Sequence, residues 1–390
     1  MFCKGGHIMA KALVLAGGGA RGSYHIGAWQ ALREMGHKFD IVTGTSVGSL
    51  NGTLVALDDF DVAKSMWLSI GDRDVMDIPH KVISHETVDF IKNFAKEGGI
   101  SLSPLENMIV RFVDEDKVRA SSCRYGLVTV NVNTKKPLEL SIDEIPQGKL
   151  VDYMLASSAW VPFLQARTID GEKYIDGGFY DNLPRNLAAR MGADEIVEVD
   201  LDSFGFERPL AKEHSHIKIT RVESWHSLGS FLDFDPEAAK RNIELGYLDT
   251  YKAFGKLEGR AYAFRTGELD KIYADFGMLL MERCEEVYHR HPSVKLAAEV
   301  YNRTERKNPK TMTDRFLAVL EGAMDAADAP IGEVYTAENI KDYLAKAPET
   351  AFGGVFTPLA DSRTAAKILS KLEAADIKNV YLRLAKNIIL

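Results

Sequence analysis

The chain has 390 residues, 46% of them hydrophobic and 27% charged, with a net charge of −8 at neutral pH. This composition is typical of a globular protein, excludes fibrous and disordered chains, and is long enough for two domains. The negative charge disfavours nucleic acid as a partner, and the few scattered cysteines argue against a disulfide framework and for a cytoplasmic protein: Cys3, Cys123 and Cys284.

The first elements along the chain predict an α/β fold. Residues 1–10 are interpreted as an N-terminal extension, and the short apolar run ALVLA predicts a strand, with neither a signal peptide nor a membrane span. After a glycine cluster, apolar residues recur at helical spacing: Ile26, Trp29, Leu32 and Met35. The strand FDIVT, the turn GTSVG and a small-residue helix repeat this order. We therefore expect parallel strands.

The remaining elements divide the chain into two regions. Residues 60–124 are predicted to be mainly helical, either as a plain insertion or as a lid over the site. Strands are predicted at RYGLVTVNVN, PLELSI, EIVEVDL, IKITRV and AYAFR, and a hairpin at RTIDGEKYID. Beyond residue 267, apolar residues follow helical spacing between prolines. We expect a catalytic domain over residues 11–267 and a helical region over residues 268–390.

The glycine cluster AGGGARGSY allows three interpretations. Gly17, Gly19 and Gly22 form a G-x-G-x-x-G pattern between strand and helix, as in dinucleotide-binding folds. Such a fold needs an acid at the end of the second strand, but Asp40 stands at its start; Ser23 replaces the lysine of a phosphate-binding P-loop. Alternatively, backbone N–H groups at the helix N-terminus form an oxyanion hole. The third interpretation is a tight turn that only packs helix on strand.

The GTSVG turn favours the oxyanion-hole interpretation. In a nucleophile elbow, a serine stands at a sharp strand-to-helix turn, and small flanking residues avoid clashes. Gly44 and Gly48 flank Ser46 in this way. The N–H of Val47 would be one oxyanion donor and an N–H of the glycine loop another. Arg21 would add positive charge or orient the loop.

A nucleophilic serine needs a base. Asp176 ends an apolar strand in KYIDGGFYDNLP and precedes two glycines, although a structural turn aspartate is the other interpretation, as for Asp170. The following histidines are interpreted as structural or solvated: His25, His80, His85, His214, His216 and His226.

These motifs resemble the patatin-like phospholipase family, whose pattern joins a G-G-G-x-[RK]-G loop, a G-x-S-x-G elbow and a D-G-[GA] sequence. Here the elbow is GTSVG and the third motif begins at Asp176. The blocks ASSAWVPF and DNLP also resemble the family, and the match covers about residues 11–200. The oxyanion loop that the resemblance implies consists of Gly17, Gly18, Gly19, Arg21 and Gly22.

The resemblance implies a three-layer fold with a mainly parallel central sheet flanked by helices, and no metal or cofactor. It implies that Ser46 attacks the carbonyl of a lipid or acyl ester and that Asp176 takes the proton and later activates water. Transient contact with a membrane surface is expected. A thioesterase or an acyltransferase would use the same dyad, and a dinucleotide-binding protein is the alternative outside this chemistry.

A dyad without histidine requires a basic aspartate. The ordinary pKa of an aspartate, about 3.9, is too low for a good base, and burial near Ser46 would raise it. Head group, acyl length and oligomeric state are not encoded in these motifs.

Overall fold

The computed structural model describes residues 9–77, 99–304, 309–347 and 374–390. It separates into two compact units, one ending at Phe254 and the other beginning at Gly255. The domain boundary after residue 267 stays a prediction, as does the role of the first ten residues.

The first unit is built on an eight-stranded sheet in the order β5-β6-β3-β2-β1-β7-β8, with β4 paired to β3. Neighbours from β3 to β8 along this order are parallel, whereas β4, β5 and β6 add antiparallel pairs. The strands are β1 Lys11–Leu15, β2 Ile41–Thr45, β3 Arg124–Asn131, β4 Lys136–Ser141, β5 Arg167–Ile169, β6 Glu172–Asp176, β7 Glu195–Val199 and β8 Lys218–Val222. The expected mainly parallel α/β sheet is confirmed.

Helices flank this sheet and bury the apolar strands on both faces, which explains their continuous hydrophobic runs. They are α1 Ser23–Glu34, α2 Val47–Leu57, α3 Phe60–Trp67, α4 Asp72–Val75, α5 Ser103–Phe112, α6 Glu115–Ala120, α7 Leu150–Ser157, α8 Arg185–Arg190 and α9 Pro236–Ala253. Within the predicted helical stretch 60–124, the described residues are mainly helical up to the start of β3. Residues 78–98, with His80 and His85, lie outside the described residues.

The topology fixes where loops of the first unit meet. In a parallel sheet, the carboxyl ends of neighbouring strands lie at one edge, and ligands bind where the strand order reverses. The chain proceeds from β1 to β2 and β3 on one side, then returns to place β7 on the other side of β1. Leu15 is paired with Gly44, so the glycine cluster and the GTSVG turn leave the sheet side by side.

The second unit is mainly helical. Its helices are α10 Glu268–Ile272, α11 Met278–Arg290, α12 Pro292–Thr304, α13 Met312–Ala326, α14 Ala337–Lys346 and α15 Ala374–Ile389. A small sheet joins β9 Leu257–Glu258, β10 Ala263–Arg265 and β11 Val334–Tyr335. AYAFR is thus a strand, as predicted, but it pairs within this small sheet and not with the large one.

A buried carboxylate organises the start of the second unit. Glu321 on α13 is fully buried and accepts backbone N–H groups of Arg260 at 2.8 Å and Ala261 at 2.9 Å. These bonds fix the segment that leads into β10, because a buried carboxylate without donors would be costly. Among the described helices, none has the length and apolar character that crossing a membrane requires.

Candidate active site

Ser46 stands at a strained turn between β2 and α2. Its backbone has φ 53° and ψ −127°, a conformation that non-glycine residues rarely adopt. A Cβ at Gly44 would overlap the carbonyl of Gly48, and one at Gly48 would overlap the carbonyl of Leu15. Both flanking positions therefore need glycine because β1, β2 and α2 approach so closely. This geometry is that of a nucleophile elbow.

A serine outside the GTSVG motif holds this turn. The Ser46 N–H donates to Ser157 Oγ at 2.9 Å, and the Ser157 hydroxyl donates to the Val128 carbonyl at 2.7 Å. Ser157 is fully buried at the end of α7. It lies within ASSAWVPF, but its contact with Ser46 spans more than a hundred residues and has no local sequence signal.

Asp176 ends β6 and is 1% exposed. The Gly178 N–H donates to its Oδ1 at 2.7 Å, whereas Oδ2 has no hydrogen-bond partner among the described residues. Burial raises the pKa of Asp176 to about 7, against smaller lowering by the Gly178 N–H and the Ser46 hydroxyl. Ser46 and Asp176 thus lie together in one cavity, although 130 positions separate them in the sequence.

Two residues of the glycine loop, Gly18 and Gly19, line the cavity that contains Ser46. The N–H of Gly17 is occupied, because it donates to the carbonyl of Asn182 at 3.1 Å. Within the described parts of the chain, the N–H groups of Gly18, Gly19 and Val47 have no partner. All three residues line the cavity that contains Ser46. These three N–H groups are therefore available to a ligand in the cavity, whereas the N–H of Gly17 is not.

Arg21 and Gly22 support the loop from behind. The Arg21 guanidinium donates to the carbonyls of Gly229 at 2.8 Å and Leu201 at 3.2 Å, and also to the Asp202 carbonyl. A Cβ at Gly22 would lie 2.5 Å from a methyl carbon of Val47, so glycine allows α1 to pack closely on the start of α2. These contacts match one of the two predicted roles of Arg21, which is to orient the loop.

Asn182, in the DNLP block, joins the glycine loop to the loop after Asp176. Its Nδ2 donates to the Gly17 carbonyl at 3.2 Å and to Ser203 Oγ at 3.1 Å, in addition to the bond from Gly17 N–H. Asn182 is 4% exposed and lines the cavity. No local sequence pattern marks this contact, because the partner of Asn182 is 165 residues away.

Asp40 and His25, two further residues named in the sequence, make structural contacts. Asp40 lies at the amino end of β2, where its carboxylate accepts the Lys11 N–H at 2.9 Å, away from the glycine loop. His25 is buried in α1, with its Nδ1 against Asn51 Nδ2 at 3.2 Å, and burial lowers the pKa of His25 to about 3. It is therefore a neutral structural histidine near physiological pH.

A large apolar cavity lies over Ser46 and Asp176. Its volume is about 1090 Å³ including the open mouth. Helices of the predicted helical stretch, α3, α4 and α5, supply much of its wall. Apolar walls with a few polar groups at one place are typical of sites for apolar ligands. Representative wall residues are Leu54, Trp67, Ile70, Met76, Ile109 and Phe112.

Comparisons with known proteins find matches to parts of this chain. Residues 13–189 match the family model described as patatin-like phospholipase. Lysophospholipase NTE1 of Mycosarcoma maydis is 27% identical over 299 residues, which cover 72% of this chain and 14% of that protein. Patatin-like phospholipase domain-containing protein 6 of Mus musculus is 32% identical over 204 residues, covering 49% of this chain and 13% of that protein. The chain thus spans about a seventh of the length of these relatives.

Among solved structures, VipD from Legionella pneumophila aligns with a TM-score of 0.38 and 13% sequence identity. The alignment covers 97% of this chain and 91% of that chain. A score at this level is too low to support conclusions about shared detail.

Proposed function

Because the chain carries a patatin-like phospholipase domain over residues 13–189, we propose that it is a lipid acyl hydrolase that cleaves carboxylic esters through an acyl-enzyme. One observation carries this proposal. The buried carboxylate of Asp176, with its pKa raised to about 7, lies beside a serine held in a strained elbow beneath an apolar cavity.

The proposed reaction has two steps. Ser46 Oγ attacks the ester carbonyl while Asp176 takes the hydroxyl proton, and that proton then passes to the departing alcohol. In the second step Asp176 takes a proton from the water that attacks the acyl-enzyme, and this proton then passes to Ser46 Oγ as the fatty acid departs, which restores both residues. A base with a pKa near the working pH is efficient because it is largely ionised and still basic. Raising the pKa of Asp176 by burial thus compensates for the lack of a histidine.

The developing negative charge on the carbonyl oxygen needs donors. The N–H groups of Gly18, Gly19 and Val47 have no partner among the described residues, and all three residues line the cavity that contains Ser46, so we assign the oxyanion hole to them. The N–H of Val47 is also at the N-terminus of α2, where the helix dipole favours negative charge. Gly17, Arg21 and Gly22 would hold this loop in place.

The substrate class follows from the cavity. Its apolar wall suits an acyl chain, and transient contact with a membrane surface would supply such a substrate. A thioesterase or an acyltransferase would form the same acyl-enzyme and differ only in the leaving group or the acceptor. Product analysis with water and with a lysolipid acceptor separates these outcomes.

The test is covalent labelling with a lipophilic fluorophosphonate, read by intact mass, together with hydrolysis of a nitrophenyl ester. We expect the wild type to gain one adduct and to hydrolyse the ester. Ser46→Ala should lose both, and Asp176→Asn should abolish hydrolysis while the protein stays folded. The exposed residues Ser65 and Asp170 provide matched controls, Ser65→Ala and Asp170→Asn, which should react like the wild type.

The pH profile adds a second criterion. The rate should rise as pH increases through about 7 and level off above it, because Asp176 must be ionised to act as a base. A fluorophosphonate adduct on Ser46→Ala would show that Ser46 is not the nucleophile. Hydrolysis by Asp176→Asn would show that Asp176 is not the base. Tight dinucleotide binding by a wild type that gains no adduct would revive the alternative function.

A further inference from the structure

Three phenylalanine side chains on loops next to the cavity are exposed to solvent: Phe204 by 72%, Phe206 by 68% and Phe179 by 37%. We call them the aromatic rim. Exposed apolar side chains that stand singly need no explanation, whereas a group of them beside a cavity is typical of an interaction site. Phe204 also lines the cavity and packs edge-on against Phe231, with ring centroids 6.1 Å apart.

The aromatic rim is attached to the active-site loops by backbone hydrogen bonds. The Phe206 N–H donates to the Gly178 carbonyl at 2.9 Å, and the Phe206 carbonyl accepts the Asn182 N–H at 2.6 Å. Phe179 stacks on Trp160 of the cavity wall at 4.6 Å. The rim therefore has a fixed position next to the loop that carries Asp176.

The chemistry of the cavity identifies what covers this rim. An acyl chain that enters the cavity must leave a lipid phase, and Phe204 belongs both to the cavity wall and to the exposed rim. An apolar path thus runs from the outside to Ser46. The Arg208 guanidinium lies 4.5 Å from the ring centroid of Tyr180, and both residues are close in sequence to the rim.

We propose that the aromatic rim inserts into the surface of a phospholipid layer and positions the cavity mouth over the lipid. The inference rests on the proposed function and adds the residues that make the contact. A net charge of −8 gives no general attraction to anionic membranes, so insertion of apolar side chains supplies the binding energy. Zwitterionic lipid should therefore suffice, and salt should have little effect.

The test is co-sedimentation of the full chain with phosphatidylcholine vesicles at low and high salt. All proteins carry Ser46→Ala, so lipid is not consumed and binding is measured without hydrolysis. The double variant Phe204→Ser/Phe206→Ser should bind at least tenfold more weakly, because two large apolar side chains no longer leave water. Phe206→Trp should retain binding, since tryptophan suits a membrane interface.

A matched control replaces two exposed apolar residues of the second unit, Met278 and Met312, by serine and should bind like the parent. Circular dichroism and melting temperature verify that each variant is folded. Equal binding by the rim variant and its parent would overturn the proposal. So would binding that requires anionic lipid and disappears in salt.

A change from dimer to monomer on replacing the rim would also overturn it, because the rim would then be an interface between copies of this chain. The two proposals fail separately. If the wild type gains no fluorophosphonate adduct, only the proposed hydrolase activity is contradicted. If the rim variant binds vesicles like its parent, only the proposed membrane contact is contradicted.

Discussion

Asp176 shows how a single residue connects stability and function. Its carboxylate is almost completely buried and receives one backbone hydrogen bond, and among the described residues no cation contacts it. Burial without a compensating charge disfavours the ionised form, and for that reason the pKa rises to about 7. Burial of the proposed base therefore costs the folded protein stability when its carboxylate is ionised.

This cost should appear in the pH dependence of stability. Between an unfolded pKa of about 3.9 and the folded value of about 7, the folded protein holds a proton on Asp176 that the unfolded chain has released. Unfolding then releases a proton, so this group lowers stability as pH rises through that window, with no further change above it. Asp181, whose pKa burial also raises to about 7, acts in the same direction.

We expect Asp176→Asn to be more stable than the wild type at pH 8 and to lose most of that advantage at pH 4. Urea denaturation at both pH values measures the difference, with Asp170→Asn as the exposed control. A constant difference at the two pH values would show that Asp176 does not titrate as its burial requires.

At the scale of elements, the elbow depends on contacts between β2, α2 and α7. The strained φ of Ser46 persists only because neighbouring elements hold it. The two flanking glycines allow the close approach, and Ser157 at the end of α7 accepts the Ser46 N–H. The conformation of the nucleophile is therefore set by a helix far away in the sequence.

Ser157→Ala should lower kcat about tenfold with little change in KM. The loss of one hydroxyl removes the acceptor of the Ser46 N–H and one donor to the Val128 carbonyl, which weakens the hold on the strained turn by about 1–3 kcal/mol. Steady-state kinetics and the rate of fluorophosphonate labelling measure this effect. Ser69→Ala is the control, because the Ser69 hydroxyl donates only to carbonyls of its own turn. An unchanged labelling rate would show that Ser46 keeps its backbone conformation without the Ser157 hydroxyl.

At the scale of the molecule, the cavity is assembled from distant segments of the first unit. Residues of α2, α3, α4, α5 and α7 meet loops that follow β1, β6 and β7. Such a wall contains apolar side chains from many elements and polar groups chiefly near Ser46, so its affinity for a substrate should depend on apolar area.

Nitrophenyl esters of increasing acyl length test this dependence. From a four-carbon to an eight-carbon chain, kcat/KM should rise by about two- to fourfold per methylene, because each methylene leaves water on entering the cavity. Substrates below their critical micelle concentration keep aggregation out of the comparison. A flat series would mean that the acyl chain does not enter this cavity.

The order of strands and helices and the three motifs of the first unit could be predicted from the amino-acid sequence. Local steric requirements leave local marks: a sharp turn at Ser46 needs glycine on both sides, and buried parallel strands need continuous apolar runs. Which N–H groups of the glycine loop lack a partner among the described residues depends on how distant segments pack. Gly17 loses its N–H to Asn182, and Ser157 reaches Ser46 from another helix. Hydrogen-bond partners, burial and the pKa of Asp176 depend on groups that are distant in the chain, and no local pattern encodes them.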